Sequence, residues 1–232
     1  MLGRDGVIAG IVLVFVVGAV IAGVIWYLAL RAAKARVQLL RRLASSHGWT
    51  FTGEVPVYTR QRAGGPFGRG HSRTARNVIA GRHRDLDVEV FDYAFKTTET
   101  QDQTTSTQMN RFGIWSVGLP AKLPFLEVGP EALLGSGNGF VSLDLENAEF
   151  RRSYRVRCDD PKFATILLSP RLTELLVAYG EVCWRIDGNI LWSWDAEHPG
   201  PEEIVDRLDL LADVVGMIPV VVWAEYGPSE AL

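Results

Sequence analysis

The sequence predicts an α+β protein, with an N-terminal transmembrane helix followed by one domain built on a mainly antiparallel sheet and two helical regions. Three observations carry that prediction. Val7 to Leu30 runs 24 residues without a charge, beyond the ~18 that mark a membrane-spanning helix. From Trp49 onward, alternating apolar segments succeed one another with turn residues between them, so neighbouring strands pair as hairpins without βαβ alternation. Helix start signals, Pro preceded by Asp or Ser, appear only after these strands, at Asp160-Pro161 and Ser169-Pro170.

The apolar run defines the first element. At ~1.5 Å per residue it exceeds a ~30 Å hydrocarbon core and can span with tilt. A cleavable signal peptide is the rival reading, because Ala33-Lys34-Ala35 has the look of a cleavage site. The run is too long for a signal peptide core, and Arg4 is balanced by Asp5. One Arg precedes the span, whereas Arg31, Lys34, Arg36, Arg41 and Arg42 follow it. The positive-inside bias then leaves the amino terminus outside and the remainder in the cytoplasm. Trp26 and Tyr27, with Arg31, Lys34 and Arg36 beyond them, fall where a membrane interface belongs. The spacing predicts that helix continues as a basic juxtamembrane stalk to about Gly48. Gly18 with Ala22, and Ala19 with Gly23, have the small-xxx-small spacing that permits a homodimer. The expected organisation is an anchor over residues 1–30, a stalk over 31–48 and a cytoplasmic domain over 49–232.

That domain is long enough to bury a full core. From Ser46 onward it holds 18 Lys+Arg against 26 Asp+Glu, an acidic balance that argues against a general nucleic-acid binder. Cys158 and Cys183 stand far apart and outside any C-x-x-C motif, so they read as two small thiols of a reducing compartment.

Within the domain, Trp49 to Val57 reads as a first strand, and residues 59–76 as a flexible Gly/Arg/Ser loop. Asn77 to Gly81 and Leu86 to Phe95 form a hairpin, with a phase slip at Val90-Phe91 that predicts a β-bulge. Residues 97–108 (TTETQDQTTSTQ) are polar and of low complexity, which predicts a second flexible loop. Trp115, Val117 and Leu119 mark the next strand, and Val141, Leu143 and Leu145, after the Gly135–Gly139 turn, a later one. Phe150 to Cys158 reads as a strand with Arg151, Arg155 and Arg157 on one face. A helix begins at Asp160, restarts at Ser169 and ends at Gly180. Val182 to Asp195 reads as a hairpin about Asp187-Gly188-Asn189. Glu202 to Val215 is an amphipathic helix with Ile204, Val205, Leu208, Leu211, Ala212 and Val215 inward. Val214 to Trp223 is too short for a second span.

Motifs that carry chemistry fail one by one. His83-Arg84-Asp85-Leu86 copies the start of a kinase catalytic loop, but Val90 stands where Asn is required and no D-F-G accompanies it. Gly70-His71-Ser72-Arg73-Thr74 lacks the final Gly of a nucleophile elbow. Gly64 to Gly70 lacks the G-K-[ST] of a phosphate loop. His47, His71, His83 and His198 have no ligand spacing, so neither metal nor cofactor is expected. Asp206, Asp209 and Asp213 read as an ordinary solvent face. One constellation survives: Arg60, Arg62, Arg69, Arg73 and Arg76 in the first loop, with Arg151, Arg155 and Arg157, form a candidate anion-binding set.

Phe67-Gly68-Arg69-Gly70, then Ala75 to Gly81 (ARNVIAG) and Phe91-Asp92-Tyr93, resemble a family of uncharacterised membrane-anchored proteins of high-GC, mainly actinobacterial, bacteria. Leu119-Pro120, Leu123-Pro124 and Leu167 to Leu172 (LLSPRL) extend the resemblance over Trp49 to Trp223. Twenty Arg against four Lys suit a GC-rich source. The resemblance implies a lineage and a membrane location but no activity. The function expected is a non-enzymatic, membrane-tethered binding or scaffolding domain whose arginines meet anionic lipid or a phosphorylated partner. The alternative is an enzyme or small-ligand carrier with a pocket of distant residues, such as Trp184, Trp192 and Trp194.

Overall fold

A computed structural model describes residues 4–55, 66–68, 70–101, 104–134, 139–196 and 199–227. The chain divides into two units, Met1–Leu43 and Ala44–Leu232. Helix α1 (Arg4–Ser46) is 43 residues long, about 65 Å at 1.5 Å per residue. The stretch Leu13–Ser46 contains an 18-residue window of mean hydropathy 2.6 with none of it buried, so this helix is long and apolar enough to cross a membrane. It ends as its sequence predicts. Gly48 takes φ +70°, Trp49 N–H donates to the Ala44 carbonyl at 2.8 Å and Gly48 N–H to Ser45 at 3.3 Å, the paired bonds of a Schellman motif.

The second unit is α+β, with a six-stranded antiparallel sheet in the order β1-β2-β3-β4-β5 and β6 on β4. The strands are β1 (Thr50–Val55), β2 (His71–His83), β3 (Leu86–Gln101), β4 (Thr104–Gly129), β5 (Arg155–Cys158) and β6 (Cys183–Ala196). Arg84 and Asp85, both at positive φ (46° and 67°), make the two-residue turn of the β2–β3 hairpin. Strand β4 is central: Ile114 lies between Phe91 of β3 and Trp194 of β6, and Leu126 between Cys158 of β5 and Ile186 of β6.

The phase slip at Val90-Phe91 has a different origin from the one expected. Strand β3 pairs with β4 without interruption, and the irregularity sits opposite, in β2, between Arg76 and Ile79, where Asn77 has φ 52°. Val90 and Phe91 are both buried, on opposite faces of a sheet covered on both sides. Phe91, Tyr93, Phe95, Ile114 and Trp194 cluster around Phe67 on one face. Trp115, across from Val90, faces the other side, where its indole N–H reaches the Ile204 carbonyl at 3.3 Å.

Both expected flexible loops need correction where they are described. His71 to Arg76 belongs to β2, and Phe67 is a core residue at 1% exposure; the bulges at Ser72 and Asn77 hide the strand's alternation. Residues 97–101 and 104–108 are the outer arms of β3 and β4. Their polarity signals exposure on both faces, while β-branched Thr suits the extended backbone. Thr98 pairs with Thr107 and Thr100 with Thr105, each at 3.3 Å between hydroxyls.

The expected hairpin over Val182 to Asp195 is instead one strand, bent at Gly188 (φ 64°). Each half pairs with β4, not with the other half, and β4 answers the bend with extra residues between Gly118 and Leu123. The bend brings the Cys183 carbonyl to the Ser193 hydroxyl at 2.8 Å. It also carries the Arg185 guanidinium to 5.7 Å from the Trp194 ring.

Among the described residues, four short helices and two longer ones accompany the sheet: α2 (Glu131–Leu134), α3 (Ala148–Ser153), α4 (Pro161–Leu167), α5 (Pro170–Tyr179), α6 (Pro201–Gly216) and α7 (Val220–Tyr226). Asp160 and Ser169 cap α4 and α5 as predicted. Phe150 to Cys158 is not one strand. Asn147 accepts hydrogen bonds from the N–H groups of Glu149 and Phe150, which turns Ala148–Ser153 into a helix and leaves only Arg155–Cys158 extended. Val141 to Leu145 is not a strand either, making a single bridge from Val141 to Val156. On α6, Val205 and Val215 are half-buried, and Arg207, Leu210 and Val214 join the buried face.

Candidate functional site

The described candidate arginines are spread over β2, α3 and β5. Arg60, Arg62 and Arg69 lie outside the described residues. Arg151 ends α3, whereas Arg155 and Arg157 stand two apart on β5, so the shared strand face of the three does not exist. Four of the five described members meet carboxylates: Arg76 with Glu54 (3.5 Å), Arg151 with Asp144 (3.8 Å), Arg155 with Glu131 (3.1 Å) and Arg157 with Glu127 (2.8 Å). The fifth, Arg73, donates to the Gly70 carbonyl at 3.3 Å. Along α1, Trp26, Tyr27, Arg31 and Lys34 are exposed and Arg36 is half-buried.

Glu127 is the hinge of a buried ionic group. It is 4% exposed and lies 2.8 Å from Arg157 and 3.8 Å from Arg185, itself 1% exposed. Such a group is retained for geometry more than for net stability; here it ties β4, β5 and β6 together beside the bend. A second polar group joins the β2–β3 turn to α6. His83 Nε2 lies 2.8 Å from Asp209, and Arg84 reaches Asp209 and Asp213 at 2.8 and 2.7 Å. Asp209 and Asp213 therefore serve as docking points for the hairpin, not as a free solvent face.

Among the described residues, recesses open at two places. One, of about 300 Å³, lies between the 139–146 segment and α3–β5. Its floor is apolar, from Leu145, Phe150, Tyr154 and Val156, and Arg151 and Arg155 stand at its edge. The Tyr154 hydroxyl donates to the carbonyls of Leu176 (3.0 Å) and Gly180, and burial pushes it up to about 12. That hydroxyl is committed to holding the end of α5.

The other recess, of about 380 Å³, is mostly polar and is lined by Trp115, Tyr179, Asp195, Glu203, Asp206 and Arg207. Arg207 is 7% exposed. Its guanidinium lies 5.2 Å from the Trp115 ring centroid and 5.3 Å from that of Tyr179. Nη1 donates to Ser193 (3.1 Å) and Nη2 to Asp195 (3.0 Å), while the buried Nε–H has no partner among the described residues. Gly200 N–H donates to Glu203 at 2.7 Å, closing the N-terminus of α6. These residues come from β4, α5, β6 and α6, so no local motif announces them. The one legible signal is Arg207 itself, a charge on the inward stripe between Ile204 and Leu208. The proposed tryptophan pocket does not form: Trp184 and Trp194 are core residues and Trp192 is half-buried. Among the described residues, no group of three or more His, Cys, Asp or Glu is placed to hold a metal ion.

No protein-family model matches the chain, and no curated protein matches it. Among solved structures, the crystal structure of the mycobacterial trehalose monomycolate transport factor A, TtfA, is similar, with a TM-score of 0.56 at 12% identity. The likeness covers 79% of this chain and 96% of that one. At this identity it is a likeness of fold.

Proposed function

We propose that the protein is a membrane-tethered accessory factor of a glycolipid-transport system, acting by binding and scaffolding, not by catalysis. The observation that carries this reading is the joining of one long N-terminal helix, with an apolar 18-residue window of which none is buried, to a domain with the fold of a named transport factor. Helix α1 is the bilayer anchor, and the five basic residues from Arg31 to Arg42 adjoin anionic headgroups, each contributing about 1 kcal/mol near such a surface. The same charge bias puts the amino terminus outside and the domain in the cytoplasm. The domain's own arginines add less to lipid contact, because carboxylates engage most of the described ones.

Protease treatment of spheroplasts carrying a C-terminally tagged chain tests the placement. The tag survives in intact spheroplasts and is lost after permeabilisation; cleavage of the tag in intact spheroplasts overturns the orientation. Photo-crosslinking from Val220 and Val221, 82% and 52% exposed on α7, tests the scaffolding role. A membrane transporter or a lipid-assembly protein is expected as the product. An absence of crosslinks specific to the full chain, against an α1-only control, refutes it.

A further inference from the structure

The polar recess between α5, β6 and α6 holds the ingredients of a ligand site. Two of its polar groups, the Asp206 carboxylate and the Tyr179 hydroxyl, make no hydrogen bond or ion pair among the described residues. Asp195 gives one oxygen to Arg207, and Glu203 gives one to Gly200. The recess therefore presents a surplus of acceptors around one fixed cation. Arg207 is held by two hydrogen bonds and two aromatic rings, so its position is set before any ligand arrives. Its volume, about 380 Å³, lies at the small end of the ~300–1,000 Å³ of ligand pockets.

Three ligand classes could answer an acceptor surplus. A metal ion requires the carboxylates to converge, and among the described residues no such convergence exists. An ammonium group would seek the aromatic faces as well as the carboxylates. One face each of Trp115 and Tyr179 already holds the Arg207 guanidinium, whose fixed charge also opposes a second cation beside it. A neutral polyol remains. Each hydroxyl donates to one carboxylate oxygen and accepts from a neighbouring N–H or O–H, so adjacent hydroxyls fit a spread of Asp, Glu and Tyr groups beside a guanidinium. Tyr179 is 39% exposed with one face on Arg207, and its other face can receive the C–H side of a pyranose ring.

We propose that this recess binds the sugar head group of a neutral glycolipid, with Asp206, Tyr179 and Asp195 taking its hydroxyls and Arg207 positioning Asp195. The inference deepens the glycolipid-transport reading and rests on it for its setting, while the ligand class comes from the recess. The test is calorimetric titration of the full chain in lipid nanodiscs with trehalose, maltose, glucose and putrescine. A disaccharide is expected to bind with a Kd of about 0.1–10 mM, and putrescine is not. Asp206→Ala and Tyr179→Phe are each expected to weaken the disaccharide at least about fivefold with an unchanged melting temperature. Asp144→Asn, fully exposed beside the other recess, is expected to bind as the wild type does. No saturable binding of either disaccharide up to about 100 mM, binding of putrescine in their place, or equal affinity in Asp206→Ala overturns the proposal. Crosslinking from α7 reports on the scaffolding role separately, so either idea can fail alone.

Discussion

Tyr154 offers a prediction in which packing, hydrogen bonding and pH can be separated. It is 4% exposed, its ring stacks on Phe150 at 4.8 Å between centroids, and its hydroxyl donates to Leu176 and Gly180. Tyr154→Phe keeps the ring and removes the hydroxyl. Near pH 7 the loss is about 1–1.5 kcal/mol, the net worth of such bonds. At high pH the sign changes. Burial pushes the native hydroxyl from 10.0 to about 12, so between those values the unfolded chain ionises first and binds fewer protons than the native one. Native stability conferred by this group is whole below pH 10 and drains away as pH rises towards 12. Two pKa units correspond to about 2.7 kcal/mol, more than the hydrogen-bond loss. The variant, which has no such group to titrate, should therefore be the less stable protein at pH 7 and the more stable one near pH 12. Urea unfolding of the full chain, followed by tryptophan fluorescence from pH 7 to 12, measures the difference. Cys183, also pushed up to about 12 by burial, titrates in both proteins, and its charge adds to the upward push on Tyr154. Stability curves that stay parallel between pH 10 and 12 would refute the burial argument.

Two further substitutions probe the hairpin that docks on the start of the unit. A Cβ at Gly81 would lie 2.2 Å from Trp49 Cδ1, and Trp49 Nε1 donates to the Arg82 carbonyl at 2.8 Å. Gly81→Ala should destabilise by about 1–3 kcal/mol and red-shift tryptophan emission; an unchanged midpoint and spectrum would show that Trp49 does not pack there. Asp85 sits at φ 67°, where Gly carries no Cβ penalty, so Asp85→Gly should raise stability by up to about 1 kcal/mol. A lower melting temperature for Asp85→Gly counts against the turn geometry.

The α+β class, the cap of α1 at Gly48, the caps at Asp160 and Ser169 and the β2–β3 hairpin were legible because each depends on a few adjacent residues. The misreadings share another cause. Residues 97–108 look disordered by composition, yet partner backbone across a hairpin, not burial, holds 97–101 and 104–108 extended. Phe150 to Cys158 alternates well enough for a strand, but Asn147, one residue outside the apolar pattern, supplies the cap that makes its first half helical. At Gly188 the turn chemistry was correctly located, and its consequence was missed because β4 offers both halves of β6 a better ladder than they offer each other. The polar recess was illegible for a simpler reason. Trp115, Tyr179, Asp195 and Arg207 are brought together by four elements, and no spacing in the chain encodes their meeting. The ion pairs of Arg155 and Arg157 were hidden from the opposite side, since charge counted along a sequence says nothing of the Glu131 and Glu127 carboxylates that answer them.

Strand β4 carries partners on both edges at Ile114 to Val117 and again at Leu126 to Val128. Backbone in those stretches is bonded on both sides, so stripping it takes the loss of two neighbours. Its hydrogen exchange should be slow and approach the global free energy of the unit, while amides of residues 97–101 and 104–108, paired across one hairpin, exchange through local opening. The long strand thus grades the unit from a rigid middle to a loose polar tip. Any partner gripping that tip would be felt first as slowed exchange there, with the centre of β4 unchanged.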